Sequence, residues 1–227
     1  MASPGIIVSD FFHVGCRRKR ALSLVLIGYL GVWGCLGMSH AHEVVTDRVS
    51  IAFGQGQLFG ITSGEGIARL RLGAGEQVLV REAKGVTGFV QTTTRMLGFS
   101  GELQRWVSIN ISTAEHILHW TVTPRMIIVQ GQEATYGFQS DRGRWKREPW
   151  GAGESLQTSE VKDFIAVMVT DRRVLGFSAV TGGFFSQDLP ISNPILDIEI
   201  NDHVVILHLS QVMFVFRSGL SSWAELP

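Results

Sequence analysis

Arg95-Met96-Leu97-Gly98-Phe99 and Arg173-Val174-Leu175-Gly176-Phe177 are nearly one phrase written twice in a chain of 227 residues. Each is a short apolar run that opens on a cation, carries glycine at its fourth place and closes on phenylalanine. Three further runs answer to it: Gln57-Leu58-Phe59-Gly60-Ile61, Arg125-Met126-Ile127-Ile128-Val129 and Gln211-Val212-Met213-Phe214-Val215. In chain order their second residues stand 38, 30, 48 and 38 positions apart, a mean of 38.5. Self-similarity at a period of this length marks a chain built from repeated units, none of which can bury its apolar face alone.

Within each period the apolar runs are short, and Asn, Asp, Gly and Ser separate them. Asp163–Thr170, Arg173–Ser178 and Phe184–Leu189 make one set; Ile195–Ile200, His203–Leu209, Val212–Phe216 and Trp223–Leu226 make the next. Runs and punctuation of this kind predict four antiparallel strands per unit. Apolar residues on both faces of several runs predict sheets packed between sheets. The units resemble the generic β-propeller repeat over about residues 44–227. That resemblance implies an all-β, five-bladed, propeller-like fold with a repeat of about 38 residues, or else an antiparallel sandwich or barrel of the same strands. It implies nothing about activity. In this alignment Trp106, Tyr136, Phe184 and Trp223 fall on fourth strands and wedge adjacent blades. Gly60, Gly98 and Gly176 share a place where a strand bulges or a neighbour comes close. Residues 139–158 stand out as an inserted loop in the third repeat.

Residues 1–41 read as a leader. Arg17-Arg18-Lys19-Arg20 precedes the uncharged run Ala21–Gly34, and Ser39-His40-Ala41 offers a cleavage site, the three-part layout of a secretory signal. Two alternatives stay open. Ala21–Met38 is 18 residues, near the short limit for an uncleaved anchor, and Cys35 after Val32-Trp33-Gly34 resembles a lipidation box. All three versions carry residues 42–227 to the periplasm or the outer face of a membrane. Cys16 and Cys35 are the only cysteines, so the domain that follows has no thiol and no disulfide. The whole chain balances 20 basic against 20 acidic residues; the leader holds four and one, which leaves 16 against 19. A net charge near −3 argues against bulk nucleic-acid binding.

Gln57, Arg95, Arg125, Arg173 and Gln211 open the predicted third strands, and equivalent places in a propeller share a rim. Arg95, Arg125 and Arg173 would then form a ring of planar donors suited to carboxylate or phosphate. The inserted loop would bring Arg144, Trp145 and Trp150 to the same face, with the composition of an interface hot spot. Against this, each arginine could pair with a local acid, such as Asp171 beside Arg173. The chain is therefore expected to be an exported, non-catalytic binding or assembly module for a protein or anionic partner, with no cofactor. A carbohydrate-binding or glycoside-active propeller is the alternative, with Asp197 and Glu199 on one strand face. Copper binding through a mature N-terminal His42 is another. Gly60-Ile61-Thr62-Ser63-Gly64 is out of register for a hydrolase elbow, and no dinucleotide fingerprint is present.

Overall fold

The computed structural model describes residues 47–64, 66–190 and 194–227. The leader, Cys35 and His42 lie outside them. Every regular element of the described chain is a strand, and the strands form five antiparallel sheets in sequence order. Sheet 1 holds β1 (Val49–Gly54), β2 (Gln57–Thr62) and β3 (Ile67–Arg71). Sheet 2 holds β4 (Val78–Lys84), β5 (Thr87–Thr92), β6 (Arg95–Ser100) and β7 (Arg105–Asn110). Sheet 3 holds β8 (Ile117–Val122), β9 (Met126–Gly131), β10 (Ala134–Gln139) and β11 (Arg144–Pro149). Sheet 4 holds β12 (Leu156–Val161), β13 (Ile165–Thr170), β14 (Arg173–Ser178) and β15 (Gly183–Asp188). Sheet 5 holds β16 (Ile195–Ile200), β17 (Val204–Leu209), β18 (Met213–Arg217) and β19 (Trp223–Leu226). This is the five-bladed, propeller-like architecture the repeat implies.

One repeat is misaligned in the sequence reading. Arg125–Val129 runs into β9, a second strand, whereas the true third strand is β10 with Gly137-Phe138. Equivalent positions are Gly60, Gly98, Gly137, Gly176 and Val215, with steps of 38, 39, 39 and 39. The supposed insertion at 139–158 dissolves: Arg144–Pro149 is the fourth strand of an ordinary blade. Tyr136 accordingly belongs to a third strand, and Trp145 takes its place among the wedge aromatics. β9 copies the cation-led phrase, whereas β10 opens on Ala134.

The middle strands carry the core. All six residues of β9, β10 and β13 are buried, whereas outer strands alternate. One device joins successive sheets. Phe99 packs over Gly60 of the preceding sheet, Phe138 over Gly98, Phe177 over Gly137 and Phe216 over Gly176, and a methyl group on any of these glycines would lie within 3 Å of the ring. Glycine is needed there for close approach rather than for an unusual turn. Across the strand pair each phenylalanine meets a second ring: Trp106 at 5.0 Å, Trp145 at 5.0 Å, Phe184 at 4.8 Å and Trp223 at 5.2 Å between centroids.

The two ends break the pattern in opposite ways. Sheet 1 puts Ile61 and Ile67 where the ring pair would stand, and sheet 5 fills its notch with Val215. Among the described residues each core cluster spans consecutive sheets, and none combines the first with the fifth.

Candidate functional site

In each meander the turn between second and third strands lies at one end of the sheet, and the two other turns lie at the opposite end. That geometry divides the predicted arginine ring. Arg95 and Arg173 open third strands at the first end, and Trp150, just past β11, lies there as well. Arg125 precedes β9 and Arg144 opens β11, both at the second end. Trp145 is on neither rim. It is buried in the core of sheets 2 and 3, its indole N–H donating to the Val107 carbonyl at 3.0 Å.

Arg95 and Arg173 are held inside the fold. Arg95 Nε donates to Glu76 Oε1 at 2.8 Å and Nη2 to Oε2 at 3.0 Å; Arg173 repeats the fork on Glu154 at 2.8 and 3.2 Å. Arg173 also reaches Glu148 at 2.8 Å and the Pro149 carbonyl at 2.8 Å. Both acids sit in Gly-Ala-Gly-Glu linkers between sheets, Gly73–Glu76 and Gly151–Glu154. Their side chains are 5% and 2% exposed. Gly75 and Gly153 take φ of +77° and +69°, the left-handed region that glycine enters without strain. The Arg95 hydrogen bonds hold the Glu76 carboxyl down at about 2 against its burial, helped by the Gly73 N–H and the Thr92 hydroxyl. Burial pushes Glu154 up, but Arg173, the Gly151 N–H and Thr170 outweigh it, so its net direction is also down. The third linker ends in Glu115, which accepts from Tyr136 Oη at 2.7 Å because Ala134 stands where an arginine would. The repeated Gly-Ala-Gly-Glu is the sequence signal for these buried acids. Asp171, the partner expected for Arg173, accepts instead from the Ser155 N–H at 2.9 Å.

The second end carries a ladder across three blades. The Arg125 guanidinium lies 4.9 Å from the Phe164 ring, and Phe164 stacks on His203 at 4.4 Å. Arg125 also meets Asp141 at 3.5 Å. Trp150 is fixed by an indole bond to the Gly131 carbonyl at 3.0 Å. Glu199 bonds His208 at 3.1 Å on the exposed face of sheet 5. Among the described residues no three metal-binding side chains are grouped to hold an ion.

A surface absent from the sequence reading lies along the first strands. β4, β8, β12 and β16 each bulge at the same place, leaving Leu79, Leu118, Gln157 and Leu196 without a partner on the adjacent strand. The three leucines are 54%, 67% and 67% exposed. Phe53, 47% exposed, flanks Leu79 across a groove of about 520 Å³. A bulge blunts an edge strand against pairing with another chain, but it dictates no leucine: Gln157 serves at the same position.

No family model and no curated relative matches the chain. Among solved structures, the N-terminal domain of Nup159 aligns over 79% of this chain and 58% of its own, at 11% identity and TM-score 0.33. Kluyveromyces lactis Hsv2 aligns over 80% and 73%, at 10% and 0.36. Prp20p from Saccharomyces cerevisiae aligns over 75% and 55%, at 9% and 0.38. The chain thus spans little more than half the length of the Nup159 domain and of Prp20p. Likeness this distant carries no argument about activity.

Proposed function

We propose that the chain is an exported, non-catalytic, protein-binding propeller, and that its contact surface is the row of first-strand edges. The leucine row carries the reading. Three blades place an exposed leucine where the fourth shows that a polar residue fits equally well, so folding alone does not account for them. Isolated surface leucines need no explanation; a repeated row beside a groove fits an interaction surface. Exposed Glu82, Glu160, Asp197 and Glu199 lie on the same strands, which suits a partner segment with apolar side chains between basic ones. Of the six residues expected to make contact, Arg95, Arg173, Trp145 and Trp150 have structural partners, and Arg125 belongs to the ladder. Among the described residues Arg144 makes no side-chain hydrogen bond, ion pair or ring contact.

Capture from the cell envelope by the full chain and by its Leu79→Asp, Leu118→Asp, Leu196→Asp variant tests the reading. We expect a defined partner retained by the first and lost by the second, with the melting temperatures a few degrees apart at most. Equal capture by both would exclude these edges as the contact surface.

A further inference from the structure

The joint between sheets 3 and 4 departs from the other three, and the departure opens a site. At the other joints an indole N–H closes the fourth-strand side: Trp106 donates to the Ala68 carbonyl at 3.2 Å, Trp145 to Val107 at 3.0 Å and Trp223 to Phe185 at 2.9 Å. The corresponding carbonyl of the third sheet belongs to Lys146, which pairs with the notch residue Gly137 as Val107 pairs with Gly98. Its would-be donor is Phe184, whose side chain has no N–H.

The facing side chains change with it. Where sheet 2 turns Val107 and Ile109 toward the next blade, sheet 3 turns Lys146 and Glu148, with Arg144 beyond them. Glu148 is neutralised by Arg173 at 2.8 Å, whereas Arg144 and Lys146 are exposed and make no side-chain hydrogen bond or ion pair among the described residues. Between β11 and β15 a groove of about 430 Å³ runs past Arg144, Lys146, Arg147, the Arg173-paired Glu148, Thr181 and Phe184. Two uncompensated cations and an aromatic floor, bounded by two edge strands, form a receptor for carboxylates on an extended chain.

We infer that this groove binds an acidic, extended segment of a protein partner, with carboxylates on Arg144 and Lys146 and a small side chain against Phe184. The site is on the opposite strand edge from the leucine row and does not depend on it.

Fluorescence anisotropy of a labelled octapeptide alternating aspartate and alanine, titrated with the full chain, tests the inference. Binding should weaken as salt rises. It should fall about tenfold or more in Arg144→Glu, Lys146→Glu, and fall again in Phe184→Trp, whose indole fills the groove while the fold is kept. The Leu79→Asp, Leu118→Asp, Leu196→Asp variant should bind like the wild type, which separates this site from the leucine row. No binding by the wild type, an equal affinity for the asparagine version of the peptide, or wild-type affinity in Phe184→Trp would each overturn it.

Discussion

Set beside the joint between sheets 2 and 3, the joint between sheets 3 and 4 uses the same notch and different glue. Both receive a phenylalanine over a glycine, Phe138 on Gly98 and Phe177 on Gly137. Around that shared contact the first adds Val107, Ile109 and the Trp145 indole. The second adds Glu148 and an Arg173 fork that joins Glu148, Glu154 and the Pro149 carbonyl. The difference separates what the fold requires at every joint from what one joint may vary. The ring-in-notch contact is required, because two sheets can approach closely only where a Cβ is absent. The surrounding side chains are interchangeable between apolar and ionic sets, and a binding groove can be opened at little structural cost.

The largest effect should come from filling the notch. Gly98→Val and Gly137→Val each push a side chain into a fully buried phenyl ring, and overpacking of that kind should cost about 3 kcal/mol or more. Matched losses in chemical denaturation would confirm that both joints depend on the same contact. A small loss for Gly137→Val alone would mean that charge holds the second joint together.

Next come the clamps. Arg173→Met and Arg95→Met leave the buried Glu154 and Glu76 without their counterion, an expected loss of about 2–3 kcal/mol at neutral pH. The linkage sign follows from the lowered carboxyls. Their contribution is complete above the ordinary carboxylate range and is lost as pH falls through it toward about 2 for Glu76. Wild-type stability should therefore drop over that acid window, and Arg95→Met should flatten the drop. An unchanged acid profile in Arg95→Met would show that the clamp does not govern acid stability.

The smallest effects form a mirrored pair. Trp145→Phe gives the apolar joint the ring found in the ionic one and should lose about 1 kcal/mol with the indole hydrogen bond. Phe184→Trp runs the other way and should gain a similar amount by reaching the Lys146 carbonyl. If both substitutions destabilise, the two joints are not variants of a single design.

Much of the fold was legible because the repeat is written in types that the geometry cannot exchange. Gly60, Gly98 and Gly176 share one repeat position, and of the two readings it allows, a bulge or a close approach, the sheets make the close approach. Gly137 escaped because its strand lacks the leading arginine, while β9 carries that phrase on a different strand. The binding surfaces were far less legible. Arg95 and Arg173 looked like a displayed ring because no local pattern reveals that an acid 19 residues upstream folds back onto each guanidinium. The exposed leucines carry no sequence signal of their own, since Val78-Leu79-Val80 and Ile117-Leu118 are continuous apolar runs until a bulge turns one residue outward.

The sequence by itself determined the repeat, its four-strand units, the position that Gly60, Gly98 and Gly176 share, and three of the four fourth-strand aromatics, Trp106, Phe184 and Trp223. These follow from residue type and spacing, because strand alternation and glycine's missing Cβ act locally. Only the tertiary structure decided which arginines are neutralised, which end of a sheet each occupies, which leucines face solvent and where a missing indole leaves a groove. Those outcomes depend on register and on contacts between blades some 39 residues apart, and a one-residue bulge or a single Trp-to-Phe exchange redirects them without disturbing the pattern along the chain.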